Sequence, residues 1–236
     1  FEEALTKDQI QYRLVGGVSF FDRKEIKDII GYLRLLHNVH DSMSFTRICN
    51  VPNRALGLTS VKRLLEQSEK YGISIYDLVR SDKLDLPSRA YKIVVQFFDM
   101  IDQLRDELSK LQTDKLGTII KRIMELSGYE KMLKLENTLT SMDRLENLLE
   151  LISYARQEEL ELSEFLAKLS LTSDIDKADD QSQEAVTLMT MHTAKGLEFD
   201  FVFIPGFEEG ILPHYRAKNN DSELEEERRL CYVAIT

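Results

Sequence analysis

The sequence predicts an α/β domain interrupted by an inserted all-helical one, and three observations carry that expectation. Apolar, β-favouring runs occur only towards the two ends, at residues 12–15, 186–191 and 199–204. The long middle repeats apolar residues at helical spacing and requires no strand. Between the last two runs a polar turn carries His192, Lys195, Gly196 and Glu198. An imidazole, an ammonium and a carboxylate thus leave a buried strand where parallel sheets gather their ligands. On this reading residues 1–38 and 186–236 form the α/β part and residues 39–185 the insertion.

Composition narrows the function classes. The chain has 236 residues, 43% of them hydrophobic, enough to bury a real core. A formal net charge of -10 argues against a surface that wraps nucleic acid all round, so any DNA contact is local. Cys49 and Cys231 share no metal-ligand spacing and suggest neither a zinc site nor a disulfide framework; a reduced, cytosolic compartment fits. No apolar run approaches membrane-spanning length, and the first residues do not read as a signal peptide. Phe1 opens on a helix already under way and Thr236 closes one without a cap, so the chain reads as an excised part of a longer polypeptide.

In order, residues 1–11 read as the tail of a helix and residues 12–15 as a short strand ending at Gly16 and Gly17. Asp22 and Glu25 form a capping box for a helix with Ile26, Ile29, Ile30, Leu33 and Leu36 on one face. The pattern breaks around residues 37–44, a crossing point into the second domain. Val61, Leu64, Leu65 and Tyr71 make a stripe stopped by Gly72, and Ser74 starts a short helix. A long helix follows Pro87, with Val94, Val95, Phe98, Ile101, Leu104, Leu108 and Leu111 inward. Ile119, Ile120, Ile123 and Met124 form the next, closed by Gly128. Leu145, Leu148, Leu149, Ile152 and Ala155 belong to another, and Phe165, Leu166 and Leu169 to a short last one. Residues 173–184, acidic through Asp174, Asp176, Asp179 and Asp180, read as a mobile surface connector. A final helix starts near Glu223.

Several motifs agree with one another. T-M-H-T-A-K-G-L-E-F at residues 190–199 resembles the fifth signature motif of the superfamily 1 DNA helicases of the UvrD, PcrA and Rep type. E-E-E-R-R-L-C-Y-V-A-I-T at residues 225–236 resembles the sixth, E-E-x-R-R-L-x-Y-V-A-x-T-R-A, without its last arginine. Y-R-L-V-G-G-V-S-F-F-D-R at residues 12–23 resembles the segment shortly before the family's inserted domain, and I-L-P-H at residues 211–214 the turn after the fifth motif. V-P-N-R-A-L-G-L-T at residues 51–59 resembles the hairpin that grips duplex phosphates, usually written with G-I-G; Ala55 stands where the first glycine is expected.

The resemblance implies a RecA-like (P-loop NTPase-type) parallel-sheet half-domain, subdomain 2A, with the helical subdomain 2B inserted. It implies an ATP-dependent 3′–5′ DNA helicase in which Glu198 accepts hydrogen bonds from the nucleotide ribose, with Lys195 and Gly196 beside it. His192 and Thr190, braced by Arg228 and Arg229, would couple the γ-phosphate to DNA; plain ion pairing on a helix surface accounts for the two arginines equally well. Gly16 and Gly17 would let a DNA backbone approach their amides, although a tight turn explains them as well. Arg23 and His214 would add DNA contacts, and Arg54, Leu56, Gly57 and Thr59 would meet the duplex. ATP with Mg2+ would serve the intact enzyme, with none expected on this chain alone, because no G-x-x-x-x-G-K-[ST] phosphate loop is present. Expected partners are single-stranded DNA, single/double-strand junctions, subdomains 1A and 1B of the same intact chain, and repair or transcription proteins, in the cytoplasm of a bacterium at its nucleoid and not on a membrane. A RecB/AddA-type helicase-nuclease and a non-catalytic helical interaction module remain alternatives.

Overall fold

A computed structural model describes the chain apart from residues 16–18, 159, 179–184, 216 and 218–219. In chain order the elements begin α1 (Glu2–Lys7), β1 (Tyr12–Val15), α2 (Lys24–His37), α3 (Ser42–Ile48), α4 (Leu58–Tyr71), α5 (Ile75–Arg80) and α6 (Ser88–Lys110). They continue with α7 (Lys115–Ser127), α8 (Tyr129–Glu136), α9 (Leu139–Glu158), α10 (Leu162–Ala178), β2 (Val186–Met189), α11 (Met191–Ala194) and α12 (Asp221–Ile235). Two units emerge. One joins Phe1–Ser19 to Asp174–Thr236, and the other is Phe20–Ser173.

The first unit is built on one parallel ladder. Tyr12 pairs with Val186, Arg13 with Thr187, Leu14 with Leu188 and Val15 with Met189, so runs from opposite ends of the sequence form one two-stranded sheet. The Arg13 guanidinium reinforces the register by donating to the Thr187 hydroxyl at 2.8 Å. Residues 199–204 depart from expectation. They form no strand, and Phe201 and Phe203 are almost wholly exposed. An apolar run becomes a buried strand only where a neighbour accepts its ladder and covers its faces. Among the described residues β1 and β2 pair only with each other.

The second unit is all helix among its described residues, and it holds the main apolar core. Its centre is aromatic: Phe45 stacks on Phe98 with ring centroids 5.2 Å apart, and Phe97 meets Phe98 edge-on at 5.4 Å. Gly72 and Gly128 end α4 and α7 in the left-handed conformation, and Ser74 caps α5 by accepting from the Asp77 amide, as their sequence positions predict. Leu65, Tyr71 and Leu149, placed on inward stripes by spacing, point outward instead. Phe97 and Leu151 take core positions the stripes did not include. α10 reaches Ala178, beyond the expected start of the acidic connector; Asp179 and Asp180 lie outside the described residues.

α2 belongs to this helical unit, whereas the sequence placed it with the α/β part and drew the joint at residue 38. It packs against α3, α6, α7 and α9 and buries Ile26, Ile29, Leu33 and Leu35 completely. It also carries two buried carboxylates into the unit. Asp28 accepts from the Tyr129 hydroxyl and pairs with Arg47, both at 2.9 Å, and Glu25 accepts from the Asn147 amide at 2.7 Å. Burial, with Asp28 next in effect, pushes the Tyr129 phenol well above its usual pKa. The expected capping box therefore does not form. Arg23 sits at the N-cap without a side-chain cap bond, Asp22 pairs with Lys27, and Glu25 is drawn inward by α9.

α3 and α8 are elements the periodicity did not announce. α3 starts at Asp41, whose carboxylate accepts from the Met43 and Ser44 amides, each at 3.0 Å, and from the Ser44 hydroxyl. Partial burial raises the Asp41 pKa, but the bonds from Ser44 and Met43 outweigh it and leave the value lowered. The stability this group adds is thus present above the ordinary aspartate pKa of about 3.9 and is lost as pH falls through the lowered folded value. Replacing Asp41 by Ala should cost about 1 kcal/mol at neutral pH in urea unfolding. The gap between variant and parent should shrink as the buffer is taken below about pH 4.

Ala55 has φ +59, a left-handed conformation that crowds its methyl group against the backbone. Replacing it by Gly should stabilise the chain by about 1 kcal/mol, because the relieved strain exceeds the added unfolded-state freedom. A calorimetric midpoint lowered by Ala55→Gly would contradict that assignment.

Candidate functional site

The first candidate lies at the carboxyl end of the ladder. β1 and β2 run parallel, so both chains leave the sheet on the same rim. After β2, Thr190 caps α11: its hydroxyl meets the Thr193 hydroxyl at 2.8 Å and accepts from the Thr193 amide at 3.3 Å. A single helical turn thus replaces the polar turn that spacing suggested. His192 stands exposed on that turn, Lys195 ends it, and Gly196 turns the chain at φ +84, where a side chain would be strained. Glu198 follows, exposed. Imidazole, ammonium and carboxylate are all open to solvent on one short segment beyond a strand end.

α12 packs on α11, which brings the segment carrying Arg228 and Arg229 to the same region. The two arginines pair within their own helix: Arg228 with Glu225 at 2.8 Å and Arg229 with Glu226 at 3.2 Å, one turn apart and exposed. The plain ion-pairing reading describes them in this structure. His214 lies half-buried in the turn before α12. Its amide donates to Glu227 at 3.1 Å, and its ring lies 4.5 Å from that of Tyr215. Gly16 and Gly17 lie outside the described residues. No group of three or more His, Cys, Asp or Glu among the described residues could hold a metal ion.

The second candidate is the loop before α4 in the helical unit. Here Arg54 and Leu56 are engaged within the protein. Arg54 turns inward: Nη1 donates to the Pro52, Ile48 and Cys49 carbonyls at 3.1, 3.3 and 3.5 Å, and Nη2 to the Tyr32 hydroxyl at 2.8 Å and the Ser127 carbonyl at 3.3 Å. Its guanidinium also lies 5.3 Å from the Phe97 ring centre. Both terminal nitrogens of this half-buried guanidinium are thus engaged by protein acceptors. Leu56 is 3% exposed and belongs to the core, whereas Gly57 and Thr59 are exposed at the start of α4. Arg23 is likewise occupied, donating to Asn147 and lying 5.6 Å from the Phe20 ring centre.

Sequence reading missed Asn50 and Tyr32, which build this loop. Asn50 Oδ1 accepts from the Arg54 and Leu56 amides at 2.8 and 3.2 Å, and the Tyr32 hydroxyl donates to the Val51 carbonyl at 2.7 Å. The N-V-P-N-R run offered the signal for Asn50, since asparagine side chains accept from nearby backbone amides in turns. Tyr32 offered none, because its partners lie far away in sequence.

Residues 1–236 match the family described as UvrD-like helicase C-terminal domain. Over 245 aligned residues the chain is 44% identical to an ATP-dependent DNA helicase PcrA of Staphylococcus epidermidis and 43% identical to one of Staphylococcus aureus. In each case the whole of this chain is covered, and 33% of the relative, so the chain spans about a third of the length of the helicases it matches. With the match running through both terminal pieces and the helical middle alike, the chain belongs to the UvrD-like helicase C-terminal domain family.

Proposed function

We propose that this chain is part of an ATP-dependent 3′–5′ DNA helicase of the UvrD/PcrA type, forming an incomplete RecA-like subdomain 2A with subdomain 2B inserted. The observation that carries the reading is the β1–β2 ladder, which joins residues 12–15 to residues 186–189 and sets T-M-H-T-A-K-G-L-E directly beyond a strand end. Glu198 accepts from the nucleotide ribose, while Lys195 and His192 stand between γ-phosphate and DNA phosphate, with Thr190 fixing their turn. The chemistry is phosphoryl transfer, in which the protein contributes placement and charge. Gly57 and Thr59 meet duplex phosphate, and His214 with Gly16 and Gly17 borders the single-stranded track. ATP and Mg2+ are shared with subdomains 1A and 1B of the longer polypeptide, which acts in the bacterial cytoplasm at single/double-strand junctions.

Two measurements test this. The purified chain should show no ATP turnover above background, because it carries no phosphate-loop sequence; robust hydrolysis would overturn the reading. In the longer polypeptide, Lys195→Ala or Glu198→Ala should lower ATP-coupled unwinding by roughly 10²–10³-fold with circular dichroism unchanged, the scale of losing one charge-stabilising contact. Unwinding at parental rates would instead mark the segment as a scaffold.

A further inference from the structure

We propose that Arg54 is a positioning residue, acting with buried Tyr32 to hold the loop at residues 53–59 in the shape that presents Gly57 and Thr59, and that it makes no DNA contact itself. The inference rests on the duplex-contact reading of that loop but is carried by different observations.

Arg54 gathers the ends of two helices. Ile48 and Cys49 close α3, and Ser127 closes α7; their carbonyls are among those a helix leaves without intrahelical partners. One guanidinium accepts this task at both ends, where a cation also meets the favourable end of each helix dipole. Its planar fork suits the geometry as a lysine ammonium would not. Tyr32, fully buried on α2, then clamps the loop twice, accepting from Arg54 and donating to the Val51 carbonyl. Burial is the largest cause holding the Tyr32 phenol above its usual pKa, so it remains a neutral donor at physiological pH. Downstream, Leu56 is sunk in the core while Asn53, Ala55, Gly57, Leu58 and Thr59 face solvent. The exposed tip therefore has its geometry fixed from beneath, by buried Tyr32 and Leu56 and by an Arg54 whose terminal nitrogens are held by protein acceptors.

The test compares Tyr32→Phe and Arg54→Gln with the parental chain. Hydrogen exchange is followed at the Arg54, Ala55 and Leu56 amides, and binding of a blunt DNA duplex is titrated across a salt series. Each variant should speed exchange at those amides by ~10-fold or more and weaken duplex binding several-fold, the range expected for losing hydrogen bonds to a charged group. The slope of affinity against salt should stay parental, because no phosphate contact is removed. Two results would overturn the proposal. One is Tyr32→Phe leaving both exchange and binding unchanged; the other is Arg54→Gln lowering the salt slope by about one with exchange unchanged, the mark of a direct phosphate contact. If the parental chain binds no duplex, the duplex reading of the loop fails, and the exchange arm alone decides whether Arg54 and Tyr32 fix it. Tyr32→Phe keeps the buried ring, so loss of fold does not obscure the comparison.

Discussion

The parallel pairing of β1 with β2 is the constraint on which the α/β unit depends. Four residue pairs join positions more than 170 apart in sequence, and parallel strands cannot be closed by a hairpin, so the chain must make a long crossover before the ladder exists. Here that crossover contains a whole helical unit with its own core. Loop-closure cost grows only slowly with length, and a folded insertion adds much less disorder to the connection than a flexible one of equal length. The arrangement thus places a chemically loaded segment, residues 190–198, on the rim of a sheet whose other strand was made near the opposite end of the chain.

Within the helical unit, polar groups are used to fasten helices and not only to solvate them. Asp28 and Glu25 extend from α2 towards α3, α8 and α9 through Arg47, Tyr129 and Asn147, and Arg54 fastens α3 and α7 at their carboxyl ends. Such buried or half-buried charges cost desolvation and are tolerated because each finds a hydrogen-bonding partner. Their effect is geometric. They tie named positions on α2, α3, α7, α8 and α9 to one another, and the loop before α4 is held between α3 and α7.

Family membership and geometry bear on different questions. The match across the whole chain identifies what kind of domain this is, and the ladder explains why its two terminal pieces act as one body. Neither makes every basic residue in a shared motif a ligand contact. Arg54, Arg23, Arg228 and Arg229 all have protein partners, and Arg54 has the most complete set. Lys195 and Glu198 are the charged members of the fifth-motif segment that stand exposed at a strand end.

What the sequence determined by itself was local and periodic. β1 from its β-favouring run before two glycines, the starts of α5 and α6 at Ser74 and Pro87, the stops of α4 and α7 at Gly72 and Gly128, and the order of the motifs all follow from spacing and turn chemistry, which neighbouring residues decide. Tertiary structure decided where side chains end. Glu25 abandoned its capping box for an asparagine 122 positions away, Arg54 turned from the surface to a carbonyl 73 positions away, and α3 and α8 were too short to show a period. Residues 199–204 carry a strand composition without a strand, because a ladder needs a neighbour that no local pattern can supply. A hydrogen bond or a paired strand is a property of two places in the chain, and only folding brings the second place near.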